Sequence, residues 1–158
     1  MKLVLQAVVY CFALLMLASS CQDKYTICDK ATDVSLKAGL YHVAGGTESA
    51  ANAPSFSLSL INSPTFLYNQ QADISKFSVA LNAALDSSQY LVKLSSTSSS
   101  DTLTVVYTSQ SVNISAECGF VYTNNLLRVC STNNTIDSVK IINPANNTTS
   151  GENVKVYF

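Results

Sequence analysis

Apolar side chains recur at every second position along much of this chain. Val34-Ser-Leu-Lys-Ala, Phe56-Ser-Leu-Ser-Leu, Phe77-Ser-Val-Ala-Leu and Val154-Lys-Val-Tyr-Phe all alternate. That is the period of a strand with one face on a core. It predicts that Phe56, Leu58 and Leu60 share a buried face. Tyr90–Leu94, Leu126–Cys130 and Ile136–Ile142 read as further strands, and Phe66-Leu67-Tyr68 as a short strand or a loop. The densest apolar stretch is Asp101-Thr-Leu-Thr-Val-Val-Tyr, a polar step, then Val112 to Tyr122, with Cys118-Gly119 inside it. It predicts a hairpin that turns at the polar step.

Between these runs lie turn residues. Gly45–Ala53 and Asn143–Gly151 read as loops, and Asn62-Ser63-Pro64, Asp86-Ser87-Ser88 and Asn124-Asn125 as turns. Ser95–Asp101 reads as a polar connection with nothing to bury. Ala83-Ala84-Leu85 is too short to stand as a helix. About eight to ten short strands with regular turn signals predict an all-β domain over residues 34–158, an antiparallel β-sandwich, for which an immunoglobulin-like arrangement is the comparison. The chain has no Trp, so the Cys–Trp–Cys signature of antibody domains is absent. A small barrel is the alternative.

The first residues follow another pattern. Lys2 is followed by an almost wholly apolar run, Leu3–Leu17, then Ala18-Ser19-Ser20-Cys21. A charged start, an apolar core and small residues make a secretory signal peptide over residues 1–20. The run is shorter than the ~20 residues of a spanning helix. Leu17-Ala18-Ser19-Ser20-Cys21 resembles a loose bacterial lipobox. The resemblance implies that Cys21 becomes the acylated mature N-terminus and holds the protein to a membrane, with residues 21–33 as its tether. The alternative is plain cleavage near Ser20, with Cys21 an ordinary thiol. Losing residues 1–20 removes Lys2 and leaves eight basic and ten acidic residues. No basic run remains, so nucleic acid is not expected as a partner.

Export permits disulfides. With Cys11 lost and Cys21 lipidated, Cys28, Cys118 and Cys130 remain. Cys28–Cys118 would close a loop of about 90 residues, worth roughly 4–5 kcal/mol in the chain-entropy treatment. Cys118–Cys130 would close about 12 residues, worth roughly 3 kcal/mol. The first pairing is expected, with Cys130 a buried thiol.

Four stretches carry a family resemblance: Asp101-Thr-Leu-Thr-Val-Val-Tyr, Ala116-Glu-Cys-Gly-Phe, Ile136-Asp-Ser-Val-Lys-Ile and Asn153-Val-Lys-Val-Tyr-Phe. In them the chain resembles a family of small uncharacterised lipoproteins from Bacteroidota, over most of the mature length. The resemblance implies fold and location, an outer-membrane anchor with the leaflet open, but no activity. Gln22-Asp23-Lys24 partly matches that phylum's surface-export signal. Asp101-Thr102-Leu103 and Asp137-Ser138-Val139 resemble its O-glycosylation triplet, and both also read as strand starts. Asn113, Asn133, Asn146 and Asn147 head Asn-x-Ser/Thr triplets, which matter only in a eukaryotic secretory host.

Candidate chemistry is sparse. His42 is the single histidine and no Gly-x-Ser-x-Gly elbow accompanies it. No Cys-x-x-Cys is present, so neither a metal site nor a cofactor is expected. The leading expectation is a non-catalytic anchored module that is structural or binds protein partners. The second is a carbohydrate-binding module using Tyr41, Tyr68, Tyr122 or Tyr157, each of which equally reads as a core-capping tyrosine.

Overall fold

The computed structural model describes residues 27–158. Those residues form strands β1 (Ser35–Ala44), β2 (Thr47–Ala50), β3 (Phe56–Leu60), β4 (Phe66–Gln71), β5 (Lys76–Ala80), β6 (Ser87–Lys93), β7 (Asp101–Ser115), β8 (Gly119–Cys130), β9 (Ser138–Ile141), β10 (Ala145–Asn146) and β11 (Val154–Tyr157). No helix occurs among the described residues. One sheet runs β2-β1-β11-β9, with β5 also on β1; the other runs β10-β8-β7-β6-β3-β4. Their apolar faces pack together as a β-sandwich. Leu36, Ala38 and Leu40 of β1 and Val154 and Val156 of β11 meet Phe56, Leu58, Tyr90, Val92, Leu103, Val105 and Tyr107 in one core. Pairing is antiparallel except where β1 runs parallel to β11, Ala38 to Tyr41 against Val154 to Tyr157. Both sheets keep free edges, so the barrel alternative is not formed.

Alternation predicted these core positions well, and failed where the first sheet no longer lies opposite. Leu60 is exposed, while Ser57 and Ser59 of the same strand are buried. β3 lies inside its sheet, between β6 and β4, and β4 pairs with it through register shifts. Ser57 Oγ accepts the Gln70 amide there, at 3.0 Å. The Gly45–Ala53 stretch, expected as a loop, contains β2. Gly45 and Gly46, at φ 59° and 80°, close a two-residue turn between Ala44 and Thr47. Both central residues of such a turn need positive φ, which glycine adopts without strain.

The hairpin also turns elsewhere than expected. β7 continues through the polar step to Ser115, and Ala116–Cys118 form the connection. Gly119, at φ 71°, supplies the left-handed residue that follows a three-residue loop, and Ser115 Oγ accepts the Cys118 amide at 3.1 Å. Asn124 and Asn125, expected as a turn, lie within β8 and pair with β10.

Asp101 also departs from the expectation. It is 1% exposed, at the end of a connection expected to bury nothing. Its carboxylate organises the turn after β8. Oδ1 accepts the Asn134 amide at 2.6 Å and the Thr132 hydroxyl at 2.8 Å, and Oδ2 accepts the amides of Thr135 and Ile136 at 2.8 and 3.0 Å. Burial alone would push this carboxyl up. The three amides and the hydroxyl outweigh it and hold it below the usual carboxylate range. A carboxyl depressed in the folded state stabilises fully above its unfolded value, about 3.9, and loses that contribution as pH falls through its folded value. Asp101→Ala takes the acceptor from the buried Ile136 amide and the part-buried amides of Asn134 and Thr135, and should cost roughly 3 kcal/mol in chemical denaturation. Asp101→Asn should also flatten the loss of stability in acid below about pH 4.

Candidate functional site

Register places one end of the molecule apart from the rest. β1 starts there, β7 and β8 project beyond it, and the β3–β4, β5–β6 and β9–β11 connections gather beside it. Cys28 and Cys118 are joined, with Cα atoms 4.8 Å apart, 90 residues apart in sequence. This bond ties the start of the described chain to the tip of the projecting hairpin. Lys30 Nζ donates to the Ile114 carbonyl at 3.3 Å and strengthens the same attachment. Cys21, the expected lipid site, lies outside the described residues.

Cys130 is exposed and unpaired among the described residues, not buried as expected. It pairs with Thr104 on the outward face of β8. Cys118 and Cys130 sit at opposite ends of that strand. An extended run of this length spans about 40 Å, against the ~7 Å that a disulfide tolerates between Cα atoms.

Two concavities lie near the tether end. One, of about 680 Å³, is lined by Thr108, Ser109, Gln110, Val112, Ile114, Thr123, Asn124, Asn125 and Ala145 to Thr148. It holds amides and hydroxyls and no charged side chain. Buried residues build its wall: Asn146 donates to Asn124 Oδ1 at 3.1 Å, and Asn124 donates to Ser109 Oγ at 2.8 Å. Asn153, fully buried, donates to the carbonyls of Asn143 and Ala145 and so fixes the loop that carries this wall. Asn146 is buried as well, so its Asn-x-Thr triplet is closed to modification in the folded chain. The other concavity, about 650 Å³, is apolar at its rim, with Leu60, Ile61, Leu81, Leu85 and Tyr90 among its lining residues.

The tyrosines scatter. Tyr68 packs edge-on to Phe56, and its hydroxyl both donates to and accepts from the Ser78 backbone, so it caps the core. Tyr122 is exposed near the hairpin tip. Among the described residues Tyr41 and Tyr157 form the one tyrosine–tyrosine ring pair, ring centres 6.0 Å apart on the outer face of the first sheet. Their hydroxyls donate to Glu152 at 2.9 Å and Glu48 at 2.7 Å. Lys155 pairs with Glu48 and lies 4.4 Å above the Tyr41 ring. Burial raises the Tyr41 hydroxyl, whereas the bond to Glu48 is the main cause that raises Tyr157; Lys155 and Tyr157 draw the Glu48 carboxyl down. Gly39 makes room for this cluster: a Cβ there would sit 2.7 Å from the Tyr41 ring and closer still to the Glu152 carboxylate.

His42 Nδ1 lies 2.8 Å from the main-chain oxygen of Phe158, to which it donates. No group of three His, Cys, Asp or Glu side chains that could hold a metal occurs among the described residues.

The match with known proteins is to a family model described as a family of unknown function (DUF6452), over residues 56–158. The chain belongs to this family. No curated protein and no solved structure matches it. The DUF6452 match includes the whole six-stranded sheet, the hairpin and the closing strand. It starts after β1, yet β1 is the strand on which β2, β5 and β11 all pair.

Sequence reading missed β2, the buried Asp101 and the amide-lined cavity. Gly-Gly between two extended runs is itself a hairpin signal. Nothing local marks the other two, because their partners come from the loops at residues 131–136 and 143–150.

The crosslink should stabilise less than its loop length indicates. Residues 29–33 are all exposed, so breaking the bond frees the tether in the native state as well as in the unfolded chain. Cys28→Ser should cost about 1–2 kcal/mol in denaturant rather than the ~4–5 kcal/mol of the simple loop treatment. Hydrogen exchange should rise only in the tether and at the hairpin tip.

Proposed function

We propose that this protein is a membrane-anchored, non-catalytic lipoprotein module that binds protein partners at the outer membrane. The observation that carries the reading is the Cys28–Cys118 bond. It agrees with an oxidising, extracytoplasmic location. It also fixes where the chain enters the folded body, so a lipid on Cys21 would hold the whole domain by the hairpin tip. The apolar groove of Leu60, Ile61, Leu81 and Leu85 and the free edge of β4, where Phe66 and Leu67 are exposed, supply docking surface for a partner.

Carbohydrate binding is the second reading, favoured by the uncharged cavity around Asn124, Asn125 and Asn147. Amides and hydroxyls of this kind suit sugar hydroxyls, although no aromatic platform lines the cavity. A glycan array without hits removes this reading.

Mass spectrometry of the mature N-terminus tests the anchor. An acylated Cys21 is expected, and Cys21→Ser should move the protein from the membrane to the soluble fraction. An unmodified Cys21 in the native host overturns the anchor. Crosslinking in intact cells that captures no partner at the β4 edge overturns the docking role.

A further inference from the structure

Beyond Tyr107 the first sheet no longer covers β7 and β8. The positions that would face it become polar: Ser109 and Asn124 stand opposite each other, then Ser111 and Asn113 follow. The same face then returns to aromatic residues. Tyr122 pairs with Ser111 and Phe120 with Asn113, and they are 56% and 70% exposed. Burying a Phe is worth roughly 1.5–3 kcal/mol, so this pair leaves a large driving force unspent. Ile27, one residue from the crosslink, is 87% exposed.

The crosslink decides what can reach this surface. Seven residue steps separate Cys21 from Cys28, at most about 25 Å of chain. Cys28 is bonded to the hairpin tip. A Cys21 held in a bilayer therefore keeps the tip within that distance of the lipid, with Phe120 two residues from the crosslink. Glu117 is the acidic residue of the connection; bonds to its own amide and to Ser115 hold its carboxyl below the usual range, with a smaller contribution from Lys30.

We propose that Phe120, Tyr122 and Ile27 form a second membrane contact, which enters the headgroup region of the bilayer beside the anchor. This rests on the anchor reading above. Aromatic side chains favour that interface because the ring is apolar and the tyrosine hydroxyl stays wet. The acyl chains supply the affinity. The tip supplies orientation, holding the arm towards the membrane. The arm from Tyr107 to Ser115 is about 26 Å long, so the apolar groove stands clear of the lipid and open to a partner.

The chain contains no tryptophan, so an introduced one is a sole reporter. Phe120→Trp is made in the full lipidated protein and reconstituted in phosphatidylethanolamine–phosphatidylglycerol vesicles with brominated acyl chains. Its emission should fall at least about two-fold and shift to the blue, as for an interfacial aromatic. Leu127→Trp, exposed on the flank of β8, should keep its emission. Cys28→Ser, which releases the tether from the tip, should restore much of the lost emission. Mass spectrometry of the same sample reports the acyl groups separately. An acylated protein whose tip reporter is unquenched overturns the tip contact and leaves the anchor standing. An unacylated protein overturns the anchor; quenching on mixing with vesicles then still supports the tip, and its absence overturns it. A blue shift that needs protein concentration but no lipid assigns the surface to a second copy and also overturns the proposal.

Discussion

A strand face stays apolar only as far as something covers it, and the rest of the molecule follows from where that cover stops. β7 crosses the limit within one uninterrupted strand. Leu103, Val105 and Tyr107 are buried against the opposite sheet, and Ser109, Ser111 and Asn113 continue the same face without it. Backbone pairing with β8 continues regardless, because ladder bonds do not depend on which residue faces the core. The result is an arm that is rigid in its backbone and uncovered on the face that continues the core, while its other face keeps Val121 buried. Water can satisfy the serines and asparagines there. It cannot satisfy Phe120 and Tyr122, and that mismatch is what points to a surface beyond the molecule.

The buried polar groups show how the compact half is held to one arrangement. Tyr107 donates to the Asn82 carbonyl at 2.9 Å and Tyr90 to the Ala80 carbonyl at 3.0 Å, so both core tyrosines are satisfied from the end of β5 and the connection that follows it. Burial pushes the Tyr90 hydroxyl up to about 12, so it remains a donor across the physiological range. Asp101 does the same for the turn after β8, with a charge in place of a hydroxyl. No buried side-chain nitrogen or oxygen is left without a partner among the described residues. Such networks make the core specific, since any rearrangement strands a polar atom.

These features share out the functional roles by position. The tether, the crosslink, the amide-lined cavity and the apolar groove lie at one end. The Asp101 turn and the Gly45-Gly46 hairpin lie at the other. The Tyr41–Tyr157 cluster spreads over the outer face of the first sheet, each hydroxyl and the lysine already engaged by a carboxylate. Its chemistry is spent within the sheet, whereas the tether end keeps its apolar side chains unpaired.

Period-two alternation by itself determined the all-β class, most core positions and the composition of a mixed, hydroxyl-rich surface. Val154 and Val156, Phe77 and Val79, and Phe56 and Leu58 are buried as the alternation requires, because side chains leave a strand on alternate sides whatever its neighbours. The tertiary structure alone decided which strands are neighbours and where each face loses its cover. Leu60 has the same alternating phase as Phe56 and is exposed because the opposite sheet has ended. Asp101 looks like a turn residue and is buried because a segment more than thirty residues later folds over it. The sulfur pairing lies between these cases: spacing left two partners open for Cys118, and the length of β8 removed one of them by carrying Cys130 to the far end.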